Sequence, residues 1–181
     1  MLDGRAVRRL NGSSIVRLLR FRPAASAVCA ASIALVGLAP SSFASSIEDG
    51  VKAMQAGDLP KAEKDLQVLA KERDPRAEFL LGLYIYGNPD SKLFDMSKAV
   101  PLLLDAAERG YTPALIPLAG AYADGKGVPK SVSEAYKWLV VAQRWNMPNA
   151  EELMGQIAPQ LKPDEIEQAK AAGTAYTFKT K

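Results

Sequence analysis

The sequence predicts an all-α fold, built as a short α-solenoid of stacked antiparallel helix pairs. Apolar residues recur at the three- and four-residue spacing of a buried helix face, and no useful length of sequence alternates as a half-buried strand does. Three alanines each begin such a face, and each is followed fifteen residues later by another alanine. The pairs are Ala62 and Ala77, Ala99 and Ala114, and Ala135 and Ala150. An interval that recurs every 36 or 37 residues indicates a repeat architecture.

Residues that start and stop helices divide these repeats into helix pairs. Asp74-Pro75 and Thr112-Pro113 each place an N-cap residue before a proline at the first helical position. Ser131 to Glu134 has the pattern of a capping box. Eleven residues after the first alanine of each repeat lie Arg73, Gly110 and Asn146. Glycine and asparagine tolerate the left-handed conformation that follows a helix end, so these positions are predicted to end helices.

The predicted repeat domain covers residues 45–181. Its helix pairs are expected at about residues 47–72, 75–109, 112–145 and 148–173. The last helix is polar enough to cap the stack, and the tail from Thr174 to Lys181 is expected to fray.

Residues 1–44 are predicted to be a bacterial secretory signal peptide. Six arginines precede an apolar run from Ala24 to Ala39, and Ser42-Phe43-Ala44 offers small residues before a cleavage site after Ala44. The run is interrupted by serine and glycine and is shorter than the ~20 residues of a spanning helix, which favours cleavage over a retained anchor. The protein is therefore expected to cross the inner membrane into the periplasm, with no stable membrane span after signal removal.

Removing the leader changes the charge and the available chemistry. Residues 45–181 carry 17 basic and 19 acidic side chains, a net charge of −2 against +3 for the full chain, so the basic balance gives no support for nucleic-acid binding. The single cysteine, Cys29, lies in the leader, and the chain has no histidine. The remaining chain lacks a thiol nucleophile, the commonest metal ligand and the commonest general base, so we expect neither catalysis nor a cofactor.

The third repeat resembles the Sel1-like repeats, which are related to tetratricopeptide repeats. The matching residues are Ala114, Leu118, Ala119, Tyr122, Gly125, Gly127, Val128, Ala135, Trp138 and Ala142. Ala119 replaces the motif's glycine. The second repeat is looser, because Ala77 to Gly87 is one residue shorter than Ala114 to Gly125 and the loop after Gly87 is two residues longer. The resemblance implies a non-catalytic scaffold or adaptor that binds other proteins on a concave helical surface, commonly in the bacterial envelope.

In related helix-pair repeats the first helix of each pair lines the concave side, so its outward positions are the candidate binding residues. They are Arg76, Phe79 and Leu83 in the second pair, Pro113, Ile116 and Gly120 in the third, and Asn149, Glu152 and Gln156 in the last. Phe79 and Ile116 would form an apolar strip for a helix or an extended peptide of another protein. The alternative is that these side chains pack against the preceding helix.

A carbohydrate- or polymer-binding envelope protein is the second functional hypothesis. Its stacking surfaces would be Tyr84, Tyr86 and Trp145, provided that the three cluster on one exposed face. Exposure of Phe79 and Ile116 in a groove would favour a protein partner instead. The loop Gly125-Lys126-Gly127 lacks the spacing of a phosphate-binding loop and is interpreted as a turn. Trp138 and Tyr122 are expected in the core.

Overall fold

A computed structural model describes residues 41–179, with side chains from residue 47 onward. The predicted signal peptide lies outside the described residues except for its last four positions. Within the described range the chain forms helices and no strand. We number the α-helices α1 (Ser41–Gln55), α2 (Leu59–Lys71), α3 (Pro75–Leu80), α4 (Met96–Glu108), α5 (Leu115–Asp124), α6 (Val132–Arg144), α7 (Ala150–Ile157) and α8 (Pro163–Ala175). The predicted all-α fold is confirmed.

Three shorter elements extend these helices. A π-helix at Leu81–Tyr86 continues α3, a 3-10 turn at Thr112–Ala114 precedes α5, and a second 3-10 turn at Ala158–Gln160 follows α7. Helix α1 packs on α2, α3 and its π-helix pack on α4, and α5 packs on α6. Contacts between α2 and α3, α4 and α5, and α6 and α7 then stack the pairs in sequence, as in a solenoid.

The repeated alanines lie where helices cross. Five of the six are completely buried and Ala150 is nearly so. A methyl group lets neighbouring helix backbones approach closely, and a larger side chain would overpack the crossing. The sequence repeat therefore records a packing requirement that recurs in every pair.

The turns between pairs adopt the left-handed conformation that the spacing predicts. Arg73 has φ 62°, Gly110 has φ 83° and Asn146 has φ 52°. Asp74 caps α3 by accepting a hydrogen bond from the backbone N–H of Arg76 at 2.9 Å, and Ser131 caps α6 by accepting from Glu134 at 3.2 Å. The predicted cap at Thr112 is wrong. Thr112 lies inside the 3-10 turn that leads into α5, and no side chain caps that turn.

The π-helix accommodates one extra residue in the second repeat. The carbonyl of Tyr86 accepts from the N–H of Asp95 at 2.8 Å, and the carbonyl of Tyr122 accepts from Ser131 at 2.9 Å. Because Asp95 and Ser131 each cap the following helix, the two tyrosines occupy equivalent positions. Tyr86 is five residues beyond Leu81, whereas Tyr122 is four residues beyond Leu118. The wider turn at Leu81–Tyr86 absorbs the difference.

The last two helices depart from a simple hairpin. Helix α8 packs chiefly on α6 rather than on α7. Extended backbone at Leu161 (φ −110°, ψ 151°) turns the chain away from α7. Gly173 of α8 lies so close to α6 that a Cβ there would stand 2.7 Å from both the Lys137 carbonyl oxygen and Val140. The glycine therefore permits this close crossing.

Residues 176–179 after α8 lie against the body, contrary to the predicted fraying, and the last two residues of the predicted tail lie outside the described residues. Tyr176 packs on Trp138 of α6, Phe178 packs on Trp145 directly after α6, and the two rings contact each other. Lys179 hydrogen-bonds to the end of α4. Aromatic side chains two residues apart supply the apolar contact that a composition-based prediction of fraying overlooks.

Candidate functional site

An apolar cleft opens between α5, α6 and α7. The cleft is a shallow depression open to solvent, with a cavity volume of about 10 Å³, which is room for roughly one water molecule. Its lining consists of Ile116, Ala119, Gly120, Ala123, Leu139, Leu153 and Ile157. Ile116 is half-buried at one side, and the small residues at 119, 120 and 123 leave the space that a larger side chain would fill. The structure therefore places two predicted positions, Ile116 and Gly120, in one apolar depression.

Polar residues of α7 flank this cleft. Glu152 and Gln156 are one turn apart, and the Gln156 amide donates a hydrogen bond to the Glu152 carboxylate at 3.2 Å. Each of them is adjacent in sequence to a residue that lines the cleft, Leu153 or Ile157. Glu152 and Gln156 therefore lie at the side of the cleft. Asn149 stands before α7 at φ 65°, and its carbonyl accepts from the N–H of Leu153 at 3.0 Å. Its backbone conformation accounts for the choice of asparagine.

Phe79 does not form the exposed apolar strip with Ile116 that the sequence predicts. It is only 8% exposed, because Tyr84 and Tyr111 cover its ring. The ring centroids of Phe79 and Tyr84 are 6.0 Å apart in an edge-on arrangement, and those of Phe79 and Tyr111 are 5.1 Å apart. The exposed aromatic residue at this point is Tyr84, with 41% of its surface accessible.

Tyr111 is the residue of this cluster that sequence reasoning missed. It follows the left-handed Gly110 in the turn between pairs, and that turn brings it onto the preceding first helix. The sequence signal that could have indicated this contact is an aromatic residue directly after a glycine that ends a helix. Leu83, another predicted position, is half-buried against the core instead of lying free on the surface.

Arg76 is held by its own helix cap. Its guanidinium contacts the Asp74 carboxylate through Nη2 at 2.7 Å and Nε at 3.1 Å. Burial opposes ionisation of Asp74, but the hydrogen bonds from Arg76 prevail and hold the pKa of this carboxyl below its ordinary value. The same hydrogen bonds raise the pKa of Arg76. The pair therefore stays ionised, and this bidentate contact occupies two of the guanidinium nitrogens.

The three aromatic residues of the carbohydrate hypothesis do not form one exposed face. Tyr86 is buried, and its hydroxyl hydrogen-bonds to the side chains of Glu63 and Gln67. Trp145 is 53% exposed, but it packs on Phe178, whereas Tyr84 packs on Phe79. The condition that would have favoured a glycan is not met.

The glycine loop and the third-repeat aromatics have structural roles. Gly125 and Gly127 have φ values of 71° and 72°, and a Cβ on Gly127 would lie 2.2 Å from the carbonyl oxygen of Met96. Trp138 is buried and Tyr122 is half-buried. In the part of the chain that the structure describes, no three metal-ligating side chains gather at one point. Likewise, no helix within residues 41–179 is long and apolar enough to span a bilayer.

The stacked helix pairs and the cleft between them define an all-α repeat protein of the solenoid class. No protein-family model and no curated protein matches this sequence. Among solved structures, the chain is similar to c5321, a protective antigen present in uropathogenic Escherichia coli strains that displays an SLR, or Sel1-like repeat, fold. The TM-score is 0.66 at 22% sequence identity. The match covers 74% of this chain and 29% of that chain, so this protein corresponds to less than a third of its structural neighbour. At this identity the similarity establishes the fold alone.

Proposed function

We propose that this protein is an exported, non-catalytic scaffold that binds another protein through the apolar cleft between α5, α6 and α7. The observation that carries the proposal is the cleft itself, whose lining is apolar throughout and whose mouth opens to solvent. Helical repeat proteins typically bind other proteins on such surfaces, and concave apolar depressions are where partner side chains are anchored.

The cleft suits a partner segment that inserts an aliphatic side chain and carries a basic group beside it. Leu139, Leu153 and Ile157 offer an apolar floor, and Glu152 supplies an exposed carboxylate at the flank. An amphipathic helix or an extended segment with one lysine or arginine next to its anchor satisfies both features. Binding then rests on complementary shape and charge, with no chemical step and no cofactor.

The predicted leader at residues 1–44 supports export, and the proposed location of the scaffold is the bacterial periplasm. Mass spectrometry of the protein recovered from its native envelope tests this part. We expect an N-terminus at Ser45. Recovery of the intact chain from the membrane fraction would contradict cleavage and support a retained anchor.

Matched substitutions test the binding surface. Ile116→Gln places a polar amide in the cleft, and Val68→Gln makes the same kind of change on the exposed face of α2. In crosslinking and pulldown from the envelope, we expect Ile116→Gln to lower recovery of a specific partner about tenfold, the effect of losing one well-packed interface side chain. Val68→Gln should leave recovery unchanged. Equal recovery with both variants would contradict a role for the cleft.

A further inference from the structure

The tail, which we define as residues 176–179, lies along the protein as an extended segment. Helix α8 ends at Ala175, and Tyr176 has φ −64° and ψ 132°. The side chains then alternate, since Tyr176 and Phe178 are partly buried whereas Thr177 and Lys179 are exposed. Such alternation is how an extended peptide presents every second side chain to the surface that it contacts.

Two positions on the body receive the aromatic side chains. The Tyr176 ring lies 5.0 Å from the buried Trp138 ring, centroid to centroid. The Phe178 ring lies 5.3 Å from Trp145 and rests on Gly110, where a Cβ would stand 3.3 Å from it. The left-handed glycine that ends the α4 turn thus leaves its outer side open for an aromatic ring.

Main-chain and charged contacts hold the same segment. The Arg144 guanidinium donates to the carbonyl oxygen of Tyr176 at 2.9 Å, and it also donates to Gly173 of α8, just before the tail, at 2.9 Å. The backbone N–H of Lys179 donates to the carbonyl oxygen of Glu108 at 2.7 Å, and the Lys179 ammonium pairs with the Glu108 carboxylate. Recognition of backbone groups combined with alternate side chains is how proteins bind extended peptides.

From these contacts we infer that the surface under the tail is a second docking site, which takes an extended segment of another protein with the pattern aromatic–any–aromatic–lysine. The chain's own tail occupies it in cis. The tail is held by two aromatic contacts, two main-chain hydrogen bonds and the Lys179–Glu108 ion pair, whose lysine is 65% and whose glutamate is 20% exposed. Because four residues of the tail make all of these contacts, a partner segment that offers the same groups can displace it. This site shares no lining residue with the cleft between α5, α6 and α7.

The chain's tryptophans make the site directly observable. The sequence has two, and both Trp138 and Trp145 contact the tail. The experiment uses the full chain with Tyr176→Ala and Phe178→Ala, which removes both aromatic contacts of the tail. The probe is the capped peptide Ala-Tyr-Thr-Phe-Lys, which has the sequence of residues 175–179 and contains no tryptophan.

We expect this peptide to change the tryptophan emission of the double variant saturably, with half-saturation below about 1 mM. A tethered tail competes at an effective concentration in the millimolar range, so the wild-type chain should need at least about ten times more peptide. The control peptide Ala-Ala-Thr-Ala-Lys should have no effect. Absence of a saturable change in a double variant with a wild-type circular dichroism spectrum would overturn the inference, as would equal affinity for both proteins.

Photo-crosslinking of the wild-type chain provides a measurement that does not depend on the folding of the variant. A peptide with benzophenylalanine in place of phenylalanine, at millimolar concentration, should label residues within 108–111 or 138–145. Labelling spread over the surface would overturn the inference. Ile116→Gln should leave both readouts unchanged, so failure of this site and failure of the cleft are distinguishable.

Discussion

At the scale of single residues, Arg73 occupies a backbone conformation that suits glycine better. It stands at the same repeat position as Gly110 and Asn146, with φ 62°. The left-handed conformation destabilises a residue with a Cβ by roughly 1–2 kcal/mol relative to glycine. Glycine has a larger conformational entropy in the unfolded chain, which reduces the net gain from a substitution by glycine. We therefore expect Arg73→Gly to raise the free energy of unfolding by about 0.5–1 kcal/mol in urea titration. Arg73→Ala keeps the strain and should bring no such gain; equal effects of the two substitutions would contradict this account.

Glu78 is a buried carboxylate that makes stability depend on pH. It is 2% exposed, its Oε2 has no hydrogen-bond partner, and its Oε1 lies 3.6 Å from Nη2 of Arg109. Burial raises the pKa of Glu78 to about 7, although Arg109 and Arg73 favour its ionised form; Asp105 and Asp74 act in the opposite direction. The folded-state pKa is thus above the unfolded value of about 4.3. The contribution of the protonated Glu78 to the free energy of unfolding is therefore fully present below pH ~4.3, and it is lost as pH rises through about 7.

Urea unfolding at pH 5 and pH 8 measures this loss. We expect the free energy of unfolding of the wild-type chain to fall by ~1–3 kcal/mol between the two values, since each pKa unit corresponds to about 1.4 kcal/mol. The free energy of unfolding of Glu78→Gln, whose side chain cannot titrate, should fall clearly less between pH 5 and pH 8. The exposed Glu72→Gln serves as the matched control and should keep the wild-type dependence. A wild-type stability that rises from pH 5 to pH 8 would show that the Arg109 pair dominates.

At the scale of elements, the π-helix at Leu81–Tyr86 is an insertion that the second repeat tolerates. Within this segment Tyr84 is exposed, and its ring contacts Phe79. Deleting Tyr84 should convert the segment to a regular α-helix that still places Tyr86 opposite Asp95. We expect the free energy of unfolding to change by no more than about 1–2 kcal/mol, because regular helical bonding offsets the loss of the Tyr84 contacts, including the one with Phe79.

Deletion of Gly120 from α5 provides the contrast. That helix has no extra residue, so the deletion moves Tyr122 out of register with Ser131 and disrupts the buried face. It should be strongly destabilising, by several kcal/mol, in thermal melts followed by circular dichroism. Similar losses for the two deletions would contradict the assignment of the π-helix as an accommodated insertion.

The elements also show what a sequence can and cannot predict. Helix bounds follow from local signals, and the caps at Asp74 and Ser131 and the left-handed turns were predictable for that reason. The burial of Phe79 was not predictable from its helix alone, because Tyr111, in the turn after α4, covers it. The tail was misjudged for a similar reason, since its contacts join residues 32 to 71 positions apart. Within the site, periodicity found Ile116 and Gly120 but could not indicate which outward positions a neighbouring element covers.

At the scale of the whole molecule, the described residues form two hydrophobic core clusters, and a few side chains contact both of them. One cluster holds Leu66, Leu81 and Ile85 among its members and belongs to the first pairs. The larger one is built around residues such as Leu115, Leu118 and Trp138. Leu80 and Met96 pack against both clusters. In a solenoid, each unit is stabilised by its contacts with the neighbouring units. We therefore expect Leu80 and Met96 to make the two halves of the stack unfold together.

This coupling predicts how the molecule unfolds. The wild-type chain should melt in one transition, whereas Leu80→Ala combined with Met96→Ala should broaden or split it. Hydrogen exchange should then show residues 47–71 losing protection before residues 132–157, because the cluster of the first pairs is smaller. Leu104→Ala, which truncates a leucine packed against the larger cluster, is the matched control and should lower the midpoint without broadening the transition. If the double variant still melts as sharply as the wild type, with both segments exchanging together, coupling through Leu80 and Met96 is wrong and the halves are joined by helix contacts elsewhere in the stack.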